Sequence, residues 1–212
     1  ADVTDINGET RRGEESVSVG YKSIWIESRV PETLPADSLK NLFVLTKNTA
    51  GTFEQTTVRV KISRLQEEKR LIRPRLWDRP TQFVLSQAAY VQTFPNDEYN
   101  NETDQAQWAT AGVVWEKTDS TKANGSWILK DAKFQPGFYL VEVTTYDKKG
   151  AEVKDKKYIR LYDPKAKTIP GTDYLWVDGT KRTEPGEIAQ LKLGTSAGDV
   201  NVIQTVLKAG QQ

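Results

Sequence analysis

The sequence predicts an all-β protein organised around an antiparallel β-sandwich, and three observations carry that expectation. Apolar and polar residues alternate with period two through most of the chain, no long stretch has helical period, and turn segments bearing Gly or Pro separate the alternating runs. Seven such runs between Gly20 and Asp163 suit two packed antiparallel sheets of the immunoglobulin or fibronectin type.

The chain opens with ADVTDINGET, which reads as strand, an Asp ahead of a Gly, then a second strand at SVSVG; the same build returns at VEVTTYDKKGAEV. In both loops the glycine, Gly8 or Gly150, is free to take positive φ, and Asp5 or Asp147 is placed to accept from amides two residues on. Residues 1–19 therefore read as the closing hairpin of a preceding domain. After Gly20, SIWIESRVP puts Ile24 and Ile26 on one face and stops at a proline, as an edge strand should. LKNLFVLTK, the NTAGT turn and FEQTTVRVKISRL follow, with Val58, Val60 and Ile62 facing one way and Arg59 and Lys61 the other; the spacing predicts a hairpin.

The pattern breaks over residues 66–107. This excursion holds the run RLIRPRLWDRP, a helix candidate SQAAYVQTF with Ser86 placed to cap it, and the acidic loop PNDEYNNETD. Connections of this length carry packing or function of their own. Alternation resumes with AGVVWEKT, GSWILKD, FYLVEVTTYD and EVKDKKYIRLYD, with Asn124-Gly125 read as a turn between the first two. The complete sandwich is assigned to residues 20–163. Residues 164–212 read as a linker, PKAKTIPG, followed by the opening strands of another sandwich, where Leu191 and Leu193 alternate with Lys192.

Composition removes several functions. The 212 residues carry 30 Lys+Arg and 29 Asp+Glu, so a formal charge of +1 gives no electrostatic reason to expect nucleic acid or an anionic membrane as partner. No apolar run is long enough to insert in a membrane. With neither Cys nor His, the chain by itself cannot build disulfides, thiolate zinc sites, or Ser-His-Asp and Cys-His catalytic groups. No catalytic residue, metal ligand or cofactor site is assigned. The absence of Met leads to the expectation that this is an excised piece of a longer protein.

Three clusters invite sharper readings. Arginines around Trp77 suit stacking on sugars or bases; the favoured alternative is that Arg73, Arg75 and Arg79 pair with carboxylates while Leu76 and Trp77 anchor the excursion to the sandwich or to a neighbouring domain. Arg73, Arg75, Trp77 and Arg79 are accordingly the candidate interdomain contacts. Asp97, Glu98, Glu102 and Asp104 offer hard oxygen ligands, but without EF-hand spacing they read as a solvated loop, and their adjacency does not establish a glycosidase pair. Trp25, Trp115 and Trp127 lie in strands and read as core or cross-strand partners, whereas Trp77, Tyr90, Tyr99 and Trp108 lie on the excursion, where exposure would suit a sugar.

Four stretches, VTDINGETRRGEESVSVGYKS, RLWDRPTQF with FPNDEY, QPGFYLVEVTTYDKKGAEV and TEPGEIAQLKLGTS, together resemble the macroglobulin-type domains of large bacterial alpha-2-macroglobulin-like proteins. The resemblance implies scaffold domains of an exported, periplasmic or envelope-associated protease-trapping inhibitor. Its partners would be neighbouring domains of the same long chain and, for the intact parent, proteases. The family's Cys–Gln thioester has no counterpart here, because the chain has no Cys. The competing expectation is a carbohydrate-binding or adhesive β-sandwich module of a cell-surface protein.

Overall fold

The computed structural model describes residues 2–4, 6–12, 22–73, 75–179, 184, 186–188, 190–203 and 205. Strands hold 40% of the residues and helix 7%, so the chain is mostly β, as its alternation predicts. Strands β1 (Asp2–Thr4) and β2 (Thr10–Arg12) form a short antiparallel hairpin over Gly8, whose φ is +83°. The described partner of β1 is Thr10–Arg12; the expected strand SVSVG and the turn acceptor Asp5 lie outside the described residues.

Two sheets follow. One contains β3 (Ile24–Arg29), β5 (Asn41–Asn48) and β8 (Ser126–Ile128) in the order β3-β5-β8. The other has the order β4-β10-β9-β6-β7, from β4 (Thr33–Pro35), β6 (Thr57–Leu65), β7 (Thr110–Ser120), β9 (Gly137–Tyr146) and β10 (Glu152–Tyr162). Every pairing in them is antiparallel except β4 with β10. Leu42 and Val44 of the first sheet share one buried cluster with Val58, Val60, Ile62, Val141, Val143 and Ile159 of the second. That shared cluster makes the pair of sheets a sandwich.

Two expected hairpins are corrected by this topology. β5 and β6 are joined by the predicted turn, where Asn48 Oδ1 accepts from Ala50 and Thr52 and Gly51 has φ +78°. Their ladder nevertheless ends after the Lys47–Phe53 bridge, and the chain crosses to the other sheet. The same happens after β7, since β8 joins β5 instead of its predecessor. Period-two alternation is identical for strands lying side by side and strands facing each other across a core, so the pattern could not separate the two arrangements. At the second crossing Gly125 has φ +67° and lies against Phe43, where a Cβ would come 2.2 Å from the ring; no other residue type fits without displacing it. An eighth strand, β4, adds to the seven predicted. With three residues, the last of them Pro35, it is too short to show alternation and sits at a sheet edge, where proline is tolerated.

The hairpin between β9 and β10 forms as expected, with ten paired positions. Asp147 accepts from the amides of Ala151 at 2.8 Å, Lys149 at 2.9 Å and Ser23 at 3.3 Å. A second polar knot ties the crossings to the sandwich. The buried Thr46 Oγ1 donates to Glu54 O at 2.5 Å and lies 2.7 Å from Thr121 Oγ1, which accepts from Thr56 N at 3.1 Å. Beyond the sandwich, β11 (Trp176–Asp178) and β12 (Lys192–Gly194) pair antiparallel.

Two predictions follow from these knots. Thr121→Val leaves Thr56 N–H without its acceptor and should lower stability by about 1–3 kcal/mol in urea unfolding; an unchanged midpoint would show that the hydroxyl pair is dispensable. The amides of Ala151, Ser23 and Lys149 hold the Asp147 carboxyl below the ordinary aspartate range. Its stabilisation is therefore complete above roughly pH 3.9 and is lost as pH falls through the lowered folded value. The stability difference between wild type and Asp147→Asn should shrink on acidification, as read from unfolding curves at pH 6 and at about pH 2.5.

Candidate functional site

The excursion is inserted between two neighbouring strands. β6 and β7 pair antiparallel, and the amide of Gln66 bonds Ala109 O at 2.8 Å across the base of the insertion. Inside it, Ser86 caps α1 (Gln87–Thr93) as predicted, accepting from the amide of Ala89.

Most of the arginine run wraps around the 95–102 loop. Arg70 donates to Pro95 O at 2.9 Å and Asp97 O at 2.7 Å. Arg73 Nε reaches Asp97 Oδ1 at 3.0 Å. Arg75 donates to Glu98 O at 3.0 Å and Asn100 O at 2.7 Å, with the Glu98 carboxylate 3.9 Å away. Arg79 meets the side-chain amide of Asn100 at 2.8 Å and lies over the Phe83 ring. A planar guanidinium can bind two carbonyls at once, which lets a loop without regular structure satisfy its backbone. Carboxylate pairing thus holds for Arg73 and Arg75, while Arg79 uses an amide instead.

The acidic residues are equally engaged. Glu98 accepts from the amide and hydroxyl of Thr103, Glu102 from the amide of Asn100 and from Gln87, and Asp104 caps a single 3-10 turn through Ala106 N. Among the described residues no group of three or more Asp or Glu side chains is arranged to hold a metal ion. Glu67, which opens the excursion, differs: burial pushes its carboxyl up despite Arg64 and Lys69 nearby.

The aromatic residues divide differently from expectation. Trp127 is buried and Trp115 packs half-buried on the core, but Trp25 is 58% exposed because it occupies the solvent side of β3. Leu76 and Trp77 do not anchor the excursion to the sandwich, being 92% and 61% exposed. Trp108 does so: its ring meets Phe138 edge-on at 4.9 Å, and its N–H donates to Glu102 O. It covers the outer face of β9 over a second small core of Leu65, Phe138 and Leu140. Tyr90 and Tyr99 stack in a row with Phe83 and Phe94 at 4.4–5.3 Å between centroids. The unbroken apolar run GFYLV was the sequence signal of this two-sided burial.

Arg160, on β10, is the functional-looking residue that alternation gave no reason to single out. Its side chain is 10% exposed, it pairs with the Asp173 carboxylate, and its guanidinium lies 5.8 Å from the Phe138 ring and 5.5 Å from the Trp176 ring. Its Nε is buried with no partner among the described residues.

No family model, no curated protein and no solved structure matches this chain.

The clamp makes a local prediction. Arg75→Ala removes two carbonyl partners and should cost roughly 1.5–3 kcal/mol. Hydrogen exchange should speed up across 96–104 while β9 stays protected; uniform exchange changes would show that the clamp is not local.

Proposed function

We propose that this chain is a non-catalytic structural scaffold, made of macroglobulin-type domains of a large bacterial alpha-2-macroglobulin-like protease-trapping inhibitor, with an immunoglobulin-like sandwich at its centre. The observation that carries the reading is the apolar surface of the segment beyond the sandwich. Leu175, Val177, Leu191, Leu193 and Ile203 are 43–91% exposed, and among the described residues no second layer covers the short β11–β12 pair. Neighbouring domains of the same long chain would provide that cover. The exposed Leu76 and Trp77, flanked by Arg73, Arg75 and Arg79, would form a second interdomain contact on the excursion. The engaged arginines and carboxylates of the excursion support a role in shape over one in chemistry. On this reading the parent is exported and acts in the periplasm or cell envelope.

A second reading has one observation in its favour. Trp77 borders a hollow of about 160 Å³ beside the Arg73–Asp97 pair, a flat aromatic face next to planar polar groups of the kind that bind sugar rings.

Limited proteolysis with several broad-specificity proteases, followed by intact mass and residual protease activity, tests the first reading. A resistant core over about 22–163, cuts within 174–203 and fully active protease are expected. Cleavage concentrated in 66–107 with the protease retained or inhibited would sink the scaffold assignment. Saturable glycan binding that disappears in Trp77→Ala would replace it with the second.

A further inference from the structure

We propose that the cavity beside β10 binds an extended acidic peptide, with Arg160 as the deep anchor for one of its carboxylates and Asp173 as the internal competitor which that carboxylate displaces. The cavity measures about 850 Å³, within the range of roughly 300–1,000 Å³ usual for ligand sites. Four cations line it, Arg29, Lys156, Lys157 and Arg160, against two lining carboxylates, Glu32 and Asp173, with Arg29 already paired to Glu27. An excess of positive charge in a concave site favours an anionic occupant.

The cations are graded by depth and by how well they are already satisfied. Lys156 and Lys157 are 49% and 42% exposed and lie 3.9 and 3.6 Å from Glu142 and Asp155, too far for good hydrogen bonds, so both remain open to a ligand at the rim. Arg160 lies deeper and is only 10% exposed. Its one ionic partner among the described residues is Asp173, and its Nε has none. A buried guanidinium with an unpartnered N–H is poised to exchange one carboxylate for another.

The shape of the site selects a peptide over a sugar acid or a phosphate. β9 pairs with β10 from Glu152 to Leu161, but on the opposite edge β4 covers only Arg160–Tyr162. No strand among the described residues pairs with that edge at Lys156–Tyr158. Consecutive residues from both faces of the strand, Lys156, Lys157 and Tyr158, line the cavity, which therefore meets β10 edge-on. An extended backbone can add to such an edge through main-chain hydrogen bonds while its carboxylates meet the lysines. Lysines on a strand edge can also serve only to discourage pairing, and the experiment separates the two roles.

The probe is a fluorescein-labelled, C-terminally amidated hexaglutamate, titrated into the full chain with fluorescence anisotropy as the readout. Saturable one-to-one binding is expected, weakening by about tenfold or more between low salt and physiological ionic strength. The double variant Lys156→Gln/Lys157→Gln changes only half-exposed side chains without adding charge beside Glu142 or Asp155, and should weaken binding several-fold with a nearly unchanged unfolding midpoint. Asp173→Asn should tighten binding several-fold by removing the competitor. Hexaglutamate N-methylated at alternate residues should bind about tenfold more weakly, because strand addition needs its amides. Failure to saturate, equal affinity in the lysine variant, or weaker binding to Asp173→Asn overturns the proposal. Equal affinity for the N-methylated peptide, or for tripolyphosphate, reduces the site to a general anion pocket and overturns the peptide assignment.

Discussion

Val58, Val60 and Ile62 from one sheet share a buried layer with Leu42 and Val44 from the other, and the remaining strands take their positions from it. Each such side chain contributes about 1.5–3 kcal/mol by leaving water. β6 and β9 lie in the interior of the larger sheet and each supply three of that layer's buried residues, flanked by β7 on one side and β10 on the other. The crossings after β5 and β7 are consequences of it. Had β5 and β6 stayed neighbours in one sheet, their buried residues would have faced the same way, and a further layer would have been needed to cover them.

Polar groups drawn toward this layer mostly find a partner, Trp127 Nε1 being an exception. Thr46 and Thr121 satisfy each other and the carbonyls at the crossing, and Asp147 collects three amides at the β9–β10 turn. Arg70 and Arg75 do for the 95–102 loop what a neighbouring strand would do for a regular one. Arg160 Nε is another buried donor left without a partner, and it belongs to a charged group. That unpartnered donor lies beside the cavity next to β10.

What could be read from sequence follows the physical range of each signal. Alternation placed Val58, Val60 and Ile62 on the core face and located the β9–β10 hairpin, because side-chain direction along a strand is local. Ser86 as a cap and Asp147 as a turn acceptor were legible for the same reason. Which strands are neighbours was not legible, since lateral and facing partners share a period. The arginine cluster was recognised as a unit whose role is pairing, yet the exposure of Leu76 and Trp77 and the anchoring by Trp108 depend on contacts distant in sequence. Arg160 and Asp173 are thirteen residues apart with a linker between them, and no local pattern announces that they meet.

The base of the excursion has a consequence of its own. Because Gln66 and Ala109 are hydrogen-bonded neighbours, everything between them is a long loop on an already closed hairpin. Closure entropy rises by only about 0.6 kcal/mol for each doubling of loop length. The sandwich is therefore nearly indifferent to how much chain is carried there, provided the new segment still shields the outer face of β9 where Trp108 now lies. In energetic terms this stretch is a replaceable cassette, whose surface can change at little cost to the framework beneath it.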